Sequence, residues 1–209
     1  MDYVWIALIA LAGYFLGSIS SAIVLIWERY HKDIRTEGSG NAGATNAARS
    51  HGLGAGLMTL GGDMLKAAVS GLIGYLIAPL AGLEGVEGVA IASAACFIGH
   101  CWPIYYHFKG GKGVSVAACV ILLLDWRVFL ILFGIFVLTF LLWKRVSVCS
   151  IVAAVFYPTL YYLFNPNPGW TLPFFVTLFI AVTCIFQHRA NIGRILRGEE
   201  KKFTLGKSE

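Results

Sequence analysis

Charge is what this chain has least of. Only 13% of its 209 residues are Asp, Glu, Lys or Arg, against roughly 25% in soluble domains, and 58% are hydrophobic. With a mean hydropathy of +0.75, the composition excludes an ordinary soluble domain and points to a membrane protein. Acidic residues are scarcer than basic ones, 11 against 16, and outside Glu199-Glu200 and the terminal loops they do not cluster. That disfavours chemistry in which neighbouring aspartates hold Mg²⁺. A Gly-x-Ser-x-Gly elbow is missing. His100 and His188 are followed at the fifth position by Tyr105 and Gly193 rather than by aspartate. The five cysteines (Cys96, Cys101, Cys119, Cys149 and Cys184) form no Cys-x-x-Cys pair and lie in or beside apolar runs. They read as inert packing residues. Residues 1–27 have no basic leader segment, so the first apolar stretch is expected to be a retained helix. No internal repeat is visible.

What the chain has is long apolar runs. A spanning helix needs about 20 mainly apolar residues, and the candidates are 3–27, 53–78, 86–103, 112–124, 126–143, 147–164 and 170–187. The fourth is short and merges with the fifth around Leu124-Asp125-Trp126-Arg127, which fits a bent or partial span. The expected fold is an all-α integral membrane protein of about seven transmembrane helices, with one domain over 1–209. Fourteen of the sixteen Lys and Arg residues fall in 28–50, 104–113, 143–147 and the tail after 187; Arg127 falls on the other side and Lys66 within a span. The positive-inside rule makes the fourteen-residue side cytoplasmic, with the N-terminus outside and the C-terminus inside. An odd number of spans satisfies that placement. The opposite loops, 79–87 and 165–169, read as turns.

Two segments on the basic side carry more than topology requires. Phe108-Lys109-Gly110-Gly111-Lys112-Gly113-Val114 packs three glycines with two lysines. Glycines let several backbone N–H groups converge and lysines add positive charge, a combination suited to phosphate. Gly38-Ser39-Gly40-Asn41-Ala42-Gly43-Ala44-Thr45-Asn46-Ala47-Ala48-Arg49 is the second. A helix cap by Thr45 or Asn46 needs one such residue; the whole segment suits an oxyanion or phosphate cradle. Asp63 and Lys66 stand three residues apart inside a span and share a helix face. They read either as a mutually neutralising pair or as a site in which Lys66 faces an anionic substrate while Asp63 holds it in place. His100 reads as structural or as touching substrate. Ser147 reads as a helix cap or as one more polar group near the site. His188, Asn191 and Arg194 recur every three residues, fitting a site or a face that snorkels to lipid headgroups.

Gly17-Ser18-Ile19, GSGNAGATNAAR over 38–49, Asp63-x-x-Lys66, Gly99-His100-x-x-Pro103, FKGGKGV over 108–114, and His188-x-x-Asn191-x-x-Arg194 with Gly198-x-Glu200 occur in one order along nearly the whole chain. In this the chain resembles the bacterial membrane glycerol-3-phosphate acyltransferases that use acyl phosphate. Small departures flank the motifs: Ser20 stands where proline is common, Ala67 where glycine is, and Ser115-Val116 where Ala-Thr is usual.

The resemblance implies a seven-helix enzyme of phospholipid biosynthesis in the bacterial inner membrane, with its active site at the cytoplasmic face. Its partners would be acyl phosphate, glycerol 3-phosphate and membrane lipids, with no metal, cofactor or nucleic acid. Carried over, Ser39, Arg49 and Lys112 would contact glycerol 3-phosphate, while Thr45, Gly111, His188 and Asn191 would border the acyl phosphate. Ser39, Arg49, Lys112, His188 and Asn191 form the expected catalytic set. Gly38, Asn41, Thr45, Asn46, Lys66, Lys109, Gly110, Gly111, Gly113, Ser147 and Arg194 are expected to bind substrate, with Asp63 and His100 in support. Two rivals remain at this point. An organophosphate transporter would fit the glycine loops and the intramembrane ion pair, but not charge gathered at one face. A lipid phosphotransferase would want the missing acidic cluster.

Overall fold

A computed structural model of the chain describes residues 2–165 and 171–205. The described part is helical and separates into two compact units, residues 2–120 with 204–205 and Ile121–Phe203. The expected turn at 165–169 and the tail residue Lys207 lie largely or wholly outside the described residues.

The first unit opens with α1 (Tyr3–Ser18) and α2 (Ser21–Tyr30), so the first apolar run is broken. Ile19 and Ser20 are extended, and Ser20 caps α2 by accepting from the Ile23 amide at 3.4 Å. After a 3-10 turn (Ile34–Thr36) comes α3 (Ala44–Ile77), which bends at Gly52, where φ is 86°. The segment expected as an irregular loop to Arg49 is thus helical from Ala44. Extended Gly43 starts that helix, and Ala44, Ala47 and Ala48 are strong helix formers. A turn at Ala78–Ala81 leads to α4 (Gly85–Cys101), which starts with a Glu84–Glu87 capping box. A 3-10 turn (Ile104–Tyr106) then precedes α5 (Val114–Leu124), which carries the chain into the second unit.

Helix α4 packs against both α1 and α3. Lipid offers helices no hydrophobic drive to associate, so backbones must approach closely. Here glycine permits it: a Cβ on Gly17 would lie 2.1 Å from the Cys96 carbonyl oxygen, and one on Gly99 2.2 Å from that of Tyr14. Large apolar side chains such as Leu65, Leu72 and Leu76 instead face outward, as lipid contact requires.

The second unit contains α6 (Trp126–Trp143), α7 (Val146–Phe164), α8 (Leu172–Gln187) and α9 (Arg189–Leu196). Helix α7 packs on α6 and on α8. Asp125 caps α6, accepting from the Arg127 amide at 2.9 Å, and the Arg127 guanidinium returns to Asp125 at 2.7 Å. A left-handed Lys144 (φ 54°) reverses the chain between α6 and α7.

Among the described residues, five stretches are long and apolar enough to cross a bilayer: Tyr3–Tyr30, Ala44–Ala81, Gly85–Tyr106, Trp126–Trp143 and Val146–Phe164. A sixth arises if α8 and α9, bent by 54°, count as one. Helix α5 has only 11 residues, rising about 16 Å at ~1.5 Å per residue, roughly half the hydrocarbon core. The stretch expected at 112–124 is accordingly a partial span, begun late because Gly113 (φ 82°) keeps the glycine–lysine loop out of the helix.

Candidate active site

In the first unit the 38–49 segment is pinned from beneath by one side chain. The Asn46 amide, 1% exposed, accepts from the Ser39 N–H at 2.8 Å and donates to the carbonyls of Ile34 and Glu37, each at 3.0 Å. Asn46 was expected to bind substrate; its amide is instead engaged with the loop. Ser39 is left exposed at the surface. Gly38 must be glycine twice over: its φ is 55°, and a Cβ there would meet the Asn46 Oδ1 at 2.3 Å. Glu37 accepts from Lys32 at 3.3 Å and pairs with His51, whose ring stacks on Tyr30 at 4.2 Å. Burial raises the Glu37 pKa, but hydrogen bonds from His51 and Lys32 outweigh it and hold the carboxyl below its ordinary value. Thr45 lies in the first turn of α3, whose N-cap Gly43 supplies no side-chain cap. That leaves a positively polarised helix end. Arg49 follows one turn later, half-buried.

The glycine–lysine loop folds under the end of α4. His107 and Phe108 are both left-handed, at φ 55° and 58°. The Gly111 N–H donates to the His100 carbonyl at 3.1 Å, and a Cβ on Gly110 would lie 2.1 Å from that same oxygen. A Cβ on Gly111 would meet His100 Nε2 at 2.2 Å and the Ala42 carbonyl oxygen at 2.8 Å. The two phosphate-type segments, 70 residues apart in sequence, therefore meet at Ala42 and Gly111. Half-buried Lys112 and Gly113 lead into the N-terminus of α5. Arg35 ties the segments again, donating to the Tyr106 carbonyl at 3.1 Å while forked on Asp33 at 2.7–3.1 Å. A cleft of about 440 Å³ runs along this junction, lined by Asp33, Arg35, Thr36, Gly40, His107, Lys109 and Gly110. Its size is that of a small-molecule site.

Asp63 and Lys66 pair at 3.1 Å, at 0% and 7% exposure. The Lys66 ammonium also donates to the carbonyls of Gly17 at 2.9 Å and Ile19 at 2.7 Å, and to His100 Nδ1 at 3.0 Å. Its three protons are thus directed at the broken end of α1 and at His100, and Asp63 supplies charge without a well-aligned hydrogen bond. Lys66 was expected to face an anionic substrate. In the structure it pairs with Asp63, the other reading of the two, and its ammonium also meets the carbonyls that the α1–α2 break leaves open.

The second unit holds its own polar knot, centred on Glu200. This carboxylate, 7% exposed, accepts from Ser147 Oγ at 2.5 Å, Asn191 Nδ2 at 2.6 Å and Arg194 Nε at 2.7 Å, while Arg145 donates to its backbone carbonyl at 2.8 Å. Burial opposes its ionisation, but those side-chain hydrogen bonds prevail and lower its pKa. Ser147 and Arg194, expected to contact substrate, are tied to Glu200. Sequence reasoning assigned Glu200 no role; its place in the Gly198-x-Glu200 element after the three-residue repeat was the available signal. His188 lies 2.7 Å from the Cys184 carbonyl through Nδ1. A carbonyl only accepts, so Nδ1 carries the proton there.

The family profile described as Glycerol-3-phosphate acyltransferase matches residues 7–198. The chain is 42% identical to the glycerol-3-phosphate acyltransferase of Syntrophotalea carbinolica over 193 residues, covering 92% of this chain and 95% of that one. It is 34% identical to that of Finegoldia magna over 211 residues, covering 100% of both. Among solved structures it is similar to PlsY, an integral membrane glycerol 3-phosphate acyltransferase. The glycerol 3-phosphate form of PlsY superposes with a TM-score of 0.85 at 30% identity, covering 95% of this chain and 96% of that one. The lysophosphatidic acid form gives 0.80 at the same identity, covering 95% of each.

Proposed function

Because the chain belongs to the glycerol-3-phosphate acyltransferase family, an integral membrane family of phospholipid biosynthesis, we propose that it acylates the 1-hydroxyl of sn-glycerol 3-phosphate using fatty acyl phosphate as donor. The products are lysophosphatidic acid and phosphate. The observation that carries this reading is the junction at Ala42 and Gly111, where two glycine-rich segments meet beside the N-termini of α3 and α5. Backbone amides, helix ends, Arg49 and Lys112 suit clustered phosphate. Ser39, Arg49 and Lys112 are assigned to glycerol 3-phosphate, with Gly38, Asn41, Lys109, Gly110 and Gly113 shaping the cradle. Thr45, Gly111, His188 and Asn191 are assigned to the acyl phosphate.

The chemistry needs little from side chains. The 1-hydroxyl oxygen attacks the acyl carbonyl carbon, the carbon–oxygen bond to phosphorus breaks, and phosphate leaves with the bonding pair. The departing phosphate accepts the hydroxyl proton, so the atoms balance without a protein base or covalent intermediate. Lys112, Arg49 and the loop amides neutralise the approaching phosphates and the oxyanion on the carbonyl oxygen, and positioning supplies much of the rest. We assign the site to the cytoplasmic face of the bacterial inner membrane, with the N-terminus outside, from the one-sided distribution of Lys and Arg.

Purified protein in detergent, given palmitoyl phosphate and glycerol 3-phosphate, is expected to form lysophosphatidic acid, and palmitoyl-CoA is expected not to replace the donor. Turnover with palmitoyl-CoA alone would overturn the donor assignment.

A further inference from the structure

We propose that His100 is a phosphate-binding residue, presenting Nε2–H at Gly111 as a hydrogen-bond donor to a phosphate held by the glycine–lysine loop, with Lys66 and Asp63 as the residues that fix its tautomer. The inference deepens the phosphate-cradle reading above and rests on it.

The argument begins at the other ring nitrogen. Nδ1 lies 3.0 Å from the Lys66 ammonium, which has protons to donate and no lone pair to offer. Asp63 Oδ1 is farther from Nδ1, at 3.5 Å, so the shorter contact decides: Nδ1 accepts from the ammonium, and the ring proton is then on Nε2. A second proton on Nδ1 would set two cations 3.0 Å apart. Asp63 balances the Lys66 charge at 3.1 Å, so the ammonium remains charged in a buried place and the group as a whole is neutral. The carbonyls of Gly17 and Ile19 hold the ammonium from behind, which keeps it aimed at the ring. This is the arrangement by which a second residue sets the tautomer of a functional histidine.

Nε2 is directed at the loop. It lies where a side chain on Gly111 would be, 2.2 Å from the position of a Cβ there. His100 is 5% exposed, and Nε2 makes no hydrogen bond to a protein group among the described residues. That leaves the atom open to a ligand, at a segment whose backbone and lysines suit phosphate. Glycine at 111 is thereby explained as well: any side chain would cover the donor. The ligand is a phosphate group, either that of glycerol 3-phosphate or that of the acyl phosphate.

The test is ¹⁵N-histidine NMR of the whole protein in detergent, with the His100 signals assigned by their loss in His100→Gln. The Nε2-protonated tautomer is expected. Its Nε2 signal should shift on adding either glycerol 3-phosphate or palmitoyl phosphonate, an unreactive analogue of the acyl phosphate; the probe that moves it identifies the phosphate. The Nδ1-protonated tautomer, or no shift with either probe, overturns the proposal.

Calorimetric binding of the responding probe gives the second readout. Asparagine can accept from Lys66 but reaches no further, whereas the glutamine amide occupies the Nε2 position. His100→Asn is expected to weaken binding about tenfold and His100→Gln less than threefold, with similar melting temperatures. Equal weakening in both together with lower melting would mean a structural role only. Neither readout uses acyl transfer. A persisting NMR shift in a protein inactive with acyl phosphate would sink the donor assignment alone, and active protein without the shift would sink this inference alone.

Discussion

Asp63 in the first unit and Glu200 in the second are both buried carboxylates, and they are satisfied in opposite ways. Asp63 in the first unit stands beside an ammonium whose hydrogen bonds go elsewhere, to two open carbonyls and a histidine. Glu200 in the second accepts hydrogen bonds directly from three side chains supplied by α7 and α9. The first carboxylate sustains a cation that organises backbone and an imidazole. The second is itself the hub that ties the chain after α9 to α7. Breaking the first strands a charge inside helices, whereas breaking the second releases a peripheral segment.

The largest effect is therefore expected from Lys66→Met, which removes the ammonium beside Asp63 at 0% exposure, with only His100 at 3.5 Å remaining, and should cost about 3–5 kcal/mol, read as lower melting in detergent. Adding Asp63→Asn should recover a good part of that loss. A double variant no more stable than the single would show that charge is not what the pair contributes.

Lys112→Ala comes next. Losing one preorganised cation at developing charge should lower kcat/KM for glycerol 3-phosphate about a hundredfold or more, roughly 3 kcal/mol. Near-normal activity would remove the glycine–lysine loop from the chemistry.

Glu200→Gln should cost about 1–3 kcal/mol and remove a pH dependence of stability. The Glu200 pKa is lowered in the folded protein, so its contribution is complete above the ordinary glutamate value of about 4.3. That contribution is lost as pH falls through the lower folded value. Wild type and variant should therefore converge in melting temperature as pH drops; a constant gap would contradict the assignment.

The smallest effect is expected from His51→Ala, which leaves Glu37, next to Gly38 and Ser39, with Lys32 alone. It should cost about 1 kcal/mol and raise the KM for glycerol 3-phosphate a few-fold with little change in kcat. A change in kcat alone would mean that the Glu37–His51 contact does not act through the loop.

The membrane character, the places of most apolar helices and the two glycine-rich segments were legible in the sequence, because they depend on local composition and on glycine spacing. The Asp63–Lys66 pairing was legible too, since an i, i+3 spacing shares one helix face whatever surrounds it. The length of α5 was harder, for an apolar run does not show that Gly113 will hold its first residues in a loop. The targets of polar side chains were not legible. Asn46 reads as a site amide until the carbonyls of Ile34 and Glu37 are found beneath it. Lys66 reads as a substrate cation until the break between α1 and α2 presents two carbonyls 47–49 residues away. Glu200 reads as a tail acid until Ser147 arrives from another helix.

By itself, then, the sequence determined that this is a helical membrane protein with phosphate-type loops on its basic side, since burial in lipid and backbone freedom at glycine are properties of short stretches of chain. Only the tertiary structure decided which polar groups remain available for a ligand. A hydrogen bond is satisfied by whatever the fold brings within 3 Å, and that partner is usually distant in sequence. The meeting of Ala42 with Gly111 beside the His100 ring is the clearest instance: three segments far apart in sequence come together only when the helices that carry them pack.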